Sequence, residues 1–217
     1  MSPHTIARTG VVLVAAMAMA SAWVWWHLPA DAQVAIHFNA DGVADGWASP
    51  GVGLFLLPGV ALATLPLLIA LPRLDPRGAN LLRSAPAYGA IAVASLALLA
   101  CVHALILAKA LAVEVDMARS MVFLLGALWL VIGNYLGKLR WNYTVGIRTP
   151  WTLASERVWD RTHRFGGHLF FACGLALVAA ALAGVPTGWY LPLILWSSLG
   201  APLVAVVKSY LLWRAER

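Results

Sequence analysis

Two stretches of this chain concentrate side chains that could do chemistry. The first lies between residues 29 and 50 and carries His37, Asn39, Asp41, Gly42, Asp45 and Trp47, with three carboxylates (Asp31, Asp41, Asp45) and no Lys or Arg. An imidazole close to carboxylates suggests a divalent cation. In an EF-hand register His37, Asn39 and Asp41 take the first three ligand positions and Gly42 the turn glycine, but the terminal carboxylate position falls on Ala48, which cannot ligate. Two readings stay open: a looser metal set of His37, Asp41 and Asp45, or a turn built from Asn, Asp and Gly, which tolerate left-handed backbone. A short strand over 33–38 would make the segment a small hairpin or cap.

The second stretch runs through Asn134, Tyr135, Lys138, Asn142, Arg148, Thr149, Pro150, Trp151, Thr152, Trp159, Thr162 and His163. Lys138, Arg140, Arg148, Arg157, Arg161 and Arg164 outweigh Glu156 and Asp160, so the segment is strongly cationic. Its chemistry is binding, to an acidic protein face or to anionic lipid. Catalysis is not expected. Asp160, His163 and His168 do not converge on one helix face, and Ser155 lies about two turns from His163 with no orienting acid. There is no H-E-x-x-H, glycine-rich phosphate loop or serine elbow. The expectation is a non-enzyme with no resident cofactor or metal and no direct nucleic-acid contact.

The elements that position these stretches are membrane helices. The chain has 217 residues, 62% of them hydrophobic and 11% charged, with a mean hydropathy of +0.81. A soluble domain carries about 25% charged residues, so a globular surface exposed to water is excluded. A helix crossing the roughly 30 Å hydrocarbon core needs about 20 apolar residues. Six stretches qualify, near 9–28, 51–71, 86–109, 120–137, 168–185 and 189–207, and Pro58 and Pro66 should kink the second. All Lys and Arg except Lys109 and Arg119 fall at the termini or in the second and fourth loops. The positive-inside rule therefore predicts an all-α, six-span protein of a bacterial inner membrane with both termini in the cytoplasm.

Ala18-Met19-Ala20 resembles a signal-cleavage site, but the apolar run continues to Leu28, long enough to span, so retention is expected. Cys101 and Cys173 sit inside apolar runs and are expected to be buried, inert thiols. His103, in the third span, should be satisfied by a neighbouring helix. Thr149-Pro150 starts a helix. Beyond it Val158, Thr162 and Phe165 face one side, and Glu156, Arg157, Asp160, His163 and Arg164 the other. This predicts an amphipathic helix between spans four and five, lying on the cytoplasmic membrane surface or folded under the bundle. The expected organisation is a two-span unit, 1–85, with an acidic outer loop, and a four-span unit, 86–217, with the basic inner loop 138–167.

The run Gly133-Asn134-Tyr135, Lys138, Asn142, Gly146-Ile147-Arg148-Thr149-Pro150-Trp151-Thr152-Leu153, Val158-Trp159 and Thr162-His163-Arg164 resembles the C-terminal half of the SdpI immunity-protein family. His37-Phe38-Asn39, Gly42 and Asp45-Gly46-Trp47 resemble the small membrane domain of unknown function that precedes it there. Where that family carries a basic residue after the outer Gly-Trp, this chain has Ser49-Pro50, so no charge contact is carried over. The resemblance implies a multispanning protein that protects its cell against a secreted peptide toxin. It also implies signalling, by holding a cytoplasmic repressor at the membrane, with the 29–50 loop facing the toxin and 148–164 the repressor. A small-molecule or lipid transporter and a metal-dependent membrane enzyme stand as the alternatives.

Overall fold

The computed structural model describes residues 3–29 and 31–217. Ala30, inside the outer loop, lies outside the described residues, as do Met1 and Ser2. Helix α1 (Pro3–His27) leads into a hairpin of β1 (Val34–Phe38) and β2 (Ala44–Ala48), which returns directly into α2 (Pro50–Leu74). A one-turn helix α3 (Gly78–Arg83) precedes α4 (Ala85–Ala110) and α5 (Met117–Leu136). After the inner loop come α6 (Pro150–Ala154) and α7 (Glu156–Ala183). The last span is composite: α8 (Tyr190–Leu195), a π turn at Trp196–Gly200, and α9 (Ala201–Arg214). That π turn sits just ahead of Pro202, whose missing N–H cannot continue the α ladder.

Among the described residues six helical segments are long and apolar enough to cross a membrane. Their outer faces expose Leu62, Leu67, Leu175, Leu182, Leu199 and Leu203, and also Cys101, which corrects its expected burial, whereas Cys173 is buried as expected. Such a surface is stable against hydrocarbon, where the helix is favoured because it satisfies most backbone groups within the segment. The N-terminal Ile6 shares a buried cluster with Leu81, Leu139 and Trp159, and Ser155 donates to Glu216 (2.9 Å). Both termini and both basic loops therefore lie at one end of the bundle, which the positive-inside rule assigns to the cytoplasm.

The amphipathic helix expected between spans four and five is corrected: it is not a separate element. Only the five-residue α6 stands apart, and the basic segment from Glu156 is the first part of the 28-residue α7. Ser155 adopts extended backbone and caps α7 by accepting from the Val158 N–H (3.2 Å), so the helix starts there. Gly166 and Gly167 do not interrupt it. His163, expected on the solvated face, is fully buried beside Trp159 and Thr162, because this end of α7 packs under the inner loop.

Helices α5 and α7 make the most intimate pairing in the bundle. A Cβ on Gly133 would fall 2.4 Å from the Phe171 nitrogen, and one on Gly174 would fall 2.6 Å from the Leu130 nitrogen. Glycine at these crossings lets the backbones touch, the usual source of helix affinity in lipid. On the other side α4 packs against α1 and α2 as well as α5. There the Ser21 hydroxyl donates to the Leu54 carbonyl (2.6 Å) and so accepts from His103 Nε2 (3.0 Å). The expected helix contact of His103 is present, and it ties α1, α2 and α4 together. Arg119, one of two cations at the opposite end, is also engaged: its Nε and Nη2 donate to the carbonyls of Ala181 and Leu182 (2.6 and 3.1 Å) at the C-terminus of α7.

Candidate functional site

Asn142 organises the inner loop. Its Oδ1 accepts from the N–H groups of Thr144 (2.9 Å) and Val145 (2.7 Å), and its Nδ2 donates to the carbonyls of Arg140 (2.9 Å) and Val145 (3.0 Å). The side chain is fully buried, and both ends of the amide are engaged in shaping residues 140–145.

A second knot lies at Gly146–Thr152. The backbone of Gly146 (φ +126°) crosses the face of His163 so closely that a Cβ would fall 2.3 Å from Nε2. The next N–H, of Ile147, donates to that Nε2 (2.9 Å), while His163 Nδ1 donates to the Trp159 carbonyl (2.8 Å). The imidazole is therefore neutral with its proton on Nδ1. It stacks on Trp159 at a centroid distance of 3.8 Å, and Trp159 Nε1 donates to the Leu139 carbonyl (2.8 Å). Thr149 and Thr152 form a reciprocal capping box that starts α6 at Pro150. The Thr149 hydroxyl also meets Ser209 Oγ (3.0 Å), which joins the loop to α9. Trp151 stands edge-on to Tyr210 at 5.1 Å.

The third set of contacts was not anticipated from the sequence. Asp75, at the end of α2 and nearly buried, accepts through Oδ2 from the Tyr143 N–H (2.9 Å) and the Thr144 hydroxyl (2.8 Å). Its Oδ1 accepts from the Arg77 N–H (2.6 Å). The Arg77 guanidinium lies 3.2 Å from the Trp141 ring centroid and 4.4 Å from that of Tyr143, and Asn80 Nδ2 donates to the Trp141 carbonyl (2.9 Å). The first cytoplasmic loop thus grips the inner loop. An acid beside Pro76, in a loop otherwise supplied with arginines, was the only available signal.

The twelve residues singled out in the inner stretch therefore divide. Asn142, Thr149, Thr152, Trp159, Thr162 and His163 are buried and, Thr162 Oγ1 aside, hydrogen-bonded within the loop and its supports. Exposed at the cytoplasmic end are Asn134, Lys138, Arg148 and Pro150, with Tyr135 and Trp151 half-buried. Arg148 donates to the Tyr143 carbonyl (3.2 Å) and keeps an exposed side chain. Under residues 145–149 lies an apolar cavity of about 380 Å³, walled by Ile132, Leu136, Phe170, Pro202 and Val206.

At the opposite end the hairpin docks on the bundle. Asn39 Oδ1 accepts from the N–H groups of Asp41 and Val43 (both 3.0 Å), closing the turn, and Gly42 (φ +78°) packs on the start of α5 at Ala118. His37 Nδ1 meets Asp45 Oδ1 at 2.5 Å across the strands, and Trp47 is exposed. Asp41 turns the other way, towards the Thr187 hydroxyl (3.5 Å). This corrects the looser metal set: among the described residues no three His, Cys, Asp or Glu side chains converge. A groove of about 510 Å³ runs between the hairpin and the bundle, bordered by Phe38, Asn39, Met117, Met121, Tyr190 and Ile194.

Residues 138–211 match the model of the SdpI/YfhL protein family, and residues 12–62 match that of a domain of unknown function, DUF1648. The chain is 34% identical over 70 residues to the "Immunity protein SdpI" of Bacillus subtilis (strain 168), a match spanning 32% of this chain and 32% of that protein. No solved structure matches. Six apolar spans among the described residues and these matches together identify a multi-pass bacterial membrane protein, similar to the SdpI/YfhL protein family over residues 138–211 and to the DUF1648 domain over residues 12–62.

Proposed function

We propose that this chain is a membrane immunity and signalling protein that protects its cell from a secreted, membrane-active peptide. The observation that carries the reading is the likeness of a 70-residue stretch of the chain to an immunity protein. In this reading residues 1–85 form a sensing unit and 86–217 a responding unit. The peptide occupies the groove under the hairpin, where Met117, Met121 and Tyr190 provide an adaptable apolar wall. The acidic 29–50 segment draws a cationic peptide towards it. A cytoplasmic repressor with an acidic face docks on the exposed cations around Arg148.

Helix α2 supplies the physical link between the two faces. It begins two residues after β2 and ends at the Asp75 carboxylate that holds Tyr143 and Thr144. A shift of the hairpin would therefore reach the inner loop through one continuous helix. The test is expression in a strain sensitive to secreted membrane-damaging peptides, with survival scored across a panel. Protection is expected against at least one of them. An absence of protection across the panel, with the protein present in the membrane, overturns the proposal.

A further inference from the structure

A groove of about 480 Å³ opens on the outer face of the α5–α7 pair at its cytoplasmic end. Its floor is Gly133, Gly137 and Gly167, and its walls are Asn134, Lys138, Arg164, His168 and Phe171. No carboxylate lines it. Lys138 reaches only the Asn134 Oδ1 at 3.5 Å and the Tyr135 ring at 4.7 Å, both on its own side. Arg164 and His168 have no hydrogen-bond or ion-pair partner among the described residues. Asp160, one turn nearer the cytoplasm on α7, makes no ion pair with Arg164. Two cations and an imidazole thus face one recess without an anion.

We propose that this groove binds the phosphate headgroup of an anionic phospholipid of the inner leaflet, held by Lys138 from α5 and Arg164 from α7. Three features favour a lipid over a soluble anion. The groove lies at the end of two spans, at headgroup depth on the cation-rich side. Below His168 the same face of α7 continues as exposed Phe171 and Leu175, an apolar track for the acyl chains. Basic pockets between helices at the cytoplasmic interface are also the sites that select such headgroups. The glycines bring the α5 and α7 backbones together, which sets Lys138 and Arg164 across one recess, and the Asn134 amide is placed to donate to a phosphate oxygen.

The test is native mass spectrometry of the full chain released from detergent and titrated with phosphatidylglycerol, phosphatidylcholine or inorganic phosphate. Each cation is expected to contribute about fivefold to lipid affinity. The wild type should favour phosphatidylglycerol over phosphatidylcholine by at least about tenfold, and Lys138→Gln/Arg164→Gln should bring the ratio to within about twofold. Arg161→Gln/Arg214→Gln, which removes equal charge outside the groove, should leave the preference intact. A photoactivatable phosphatidylglycerol on the wild type provides a measurement independent of any variant, with labelling expected on the peptide containing Phe171 and Leu175. The proposal is overturned by equal binding of both lipids, by an equal loss in the control variant, or by labelling spread evenly over the spans. Displacement of phosphatidylglycerol by inorganic phosphate at matched concentration also overturns it, because the site would then take a soluble anion.

Discussion

Replacing Asp75 by Ala tests how the inner loop is held. The carboxylate accepts one N–H and one hydroxyl from Tyr143 and Thr144, at 2.9 and 2.8 Å, from a position that is 6% exposed. Hydrogen bonds to a charged group contribute about 1.5–3 kcal/mol each. Two of them set a gross loss of about 3–6 kcal/mol. Water can enter at the edge of the loop and satisfy part of the Tyr143 N–H, which lowers the expectation to about 2–4 kcal/mol. The stacking of Arg77 on Trp141 remains and holds about 0.5–2 kcal/mol, so the loop should open locally while the bundle stays folded. Such a loss raises the open population roughly 30- to 700-fold. Hydrogen–deuterium exchange of the full chain, read on peptides covering 139–149, measures it directly. Asp75→Asn should fall between wild type and Asp75→Ala, because the amide oxygen can still accept from Tyr143 and Thr144 but is uncharged, and the NH2 then faces the Arg77 N–H. Asp160→Ala, on an exposed carboxylate, should change nothing. Exchange in 139–149 that stays within about threefold of wild type in Asp75→Ala would refute the reasoning, since the stated bonds cannot be worth so little.

Three other substitutions probe different links. Gly146→Ala places a methyl 2.3 Å from His163 Nε2 at φ +126°, so the Ile147–His163 bond should break at a strain of about 1–3 kcal/mol, seen as faster exchange at 146–149. Gly133→Leu forces α5 from Phe171 and Gly167 of α7; overpacking costs about 1–3 kcal/mol, and a lower thermal midpoint in detergent should report it. Ser21→Ala removes the acceptor of His103 and the donor to Leu54, for an expected loss of about 0.6–1.7 kcal/mol in lipid. Steric trapping of the unfolded protein in bicelles would detect it, and an unchanged stability would place the hold on α1 in packing alone.

The legible parts of this protein were those set by period, length and local chemistry. Six apolar runs appear as six spans because a bilayer fixes the length of a helix. Asn39, Asp41 and Gly42 made their turn because an Asx side chain satisfies nearby N–H groups wherever the chain is placed. Thr149-Pro150 likewise capped a helix as expected, since a capping box needs only four consecutive residues. The end of the amphipathic segment was misread because helical periodicity carries no signal for where a surface helix becomes a span. Ser155, a good cap one residue from the end of α6, settled that boundary.

What the tertiary structure decided was which polar side chains are spent and which are free. His163 has the spacing of a solvated face, yet its two nitrogens are consumed by Ile147 and Trp159, and only the folded loop supplies the first of these. Asp75 is far from Tyr143 in sequence, and their pairing depends on α2 ending beside the inner loop. Lys138 and Arg164 face one groove because glycines let α5 and α7 touch. The sequence by itself determined the solvent and the spans, and its cation distribution assigned the orientation, since each depends on composition or short-range spacing. The partners of buried polar groups depend on contacts between distant segments, and those exist only after the bundle has assembled.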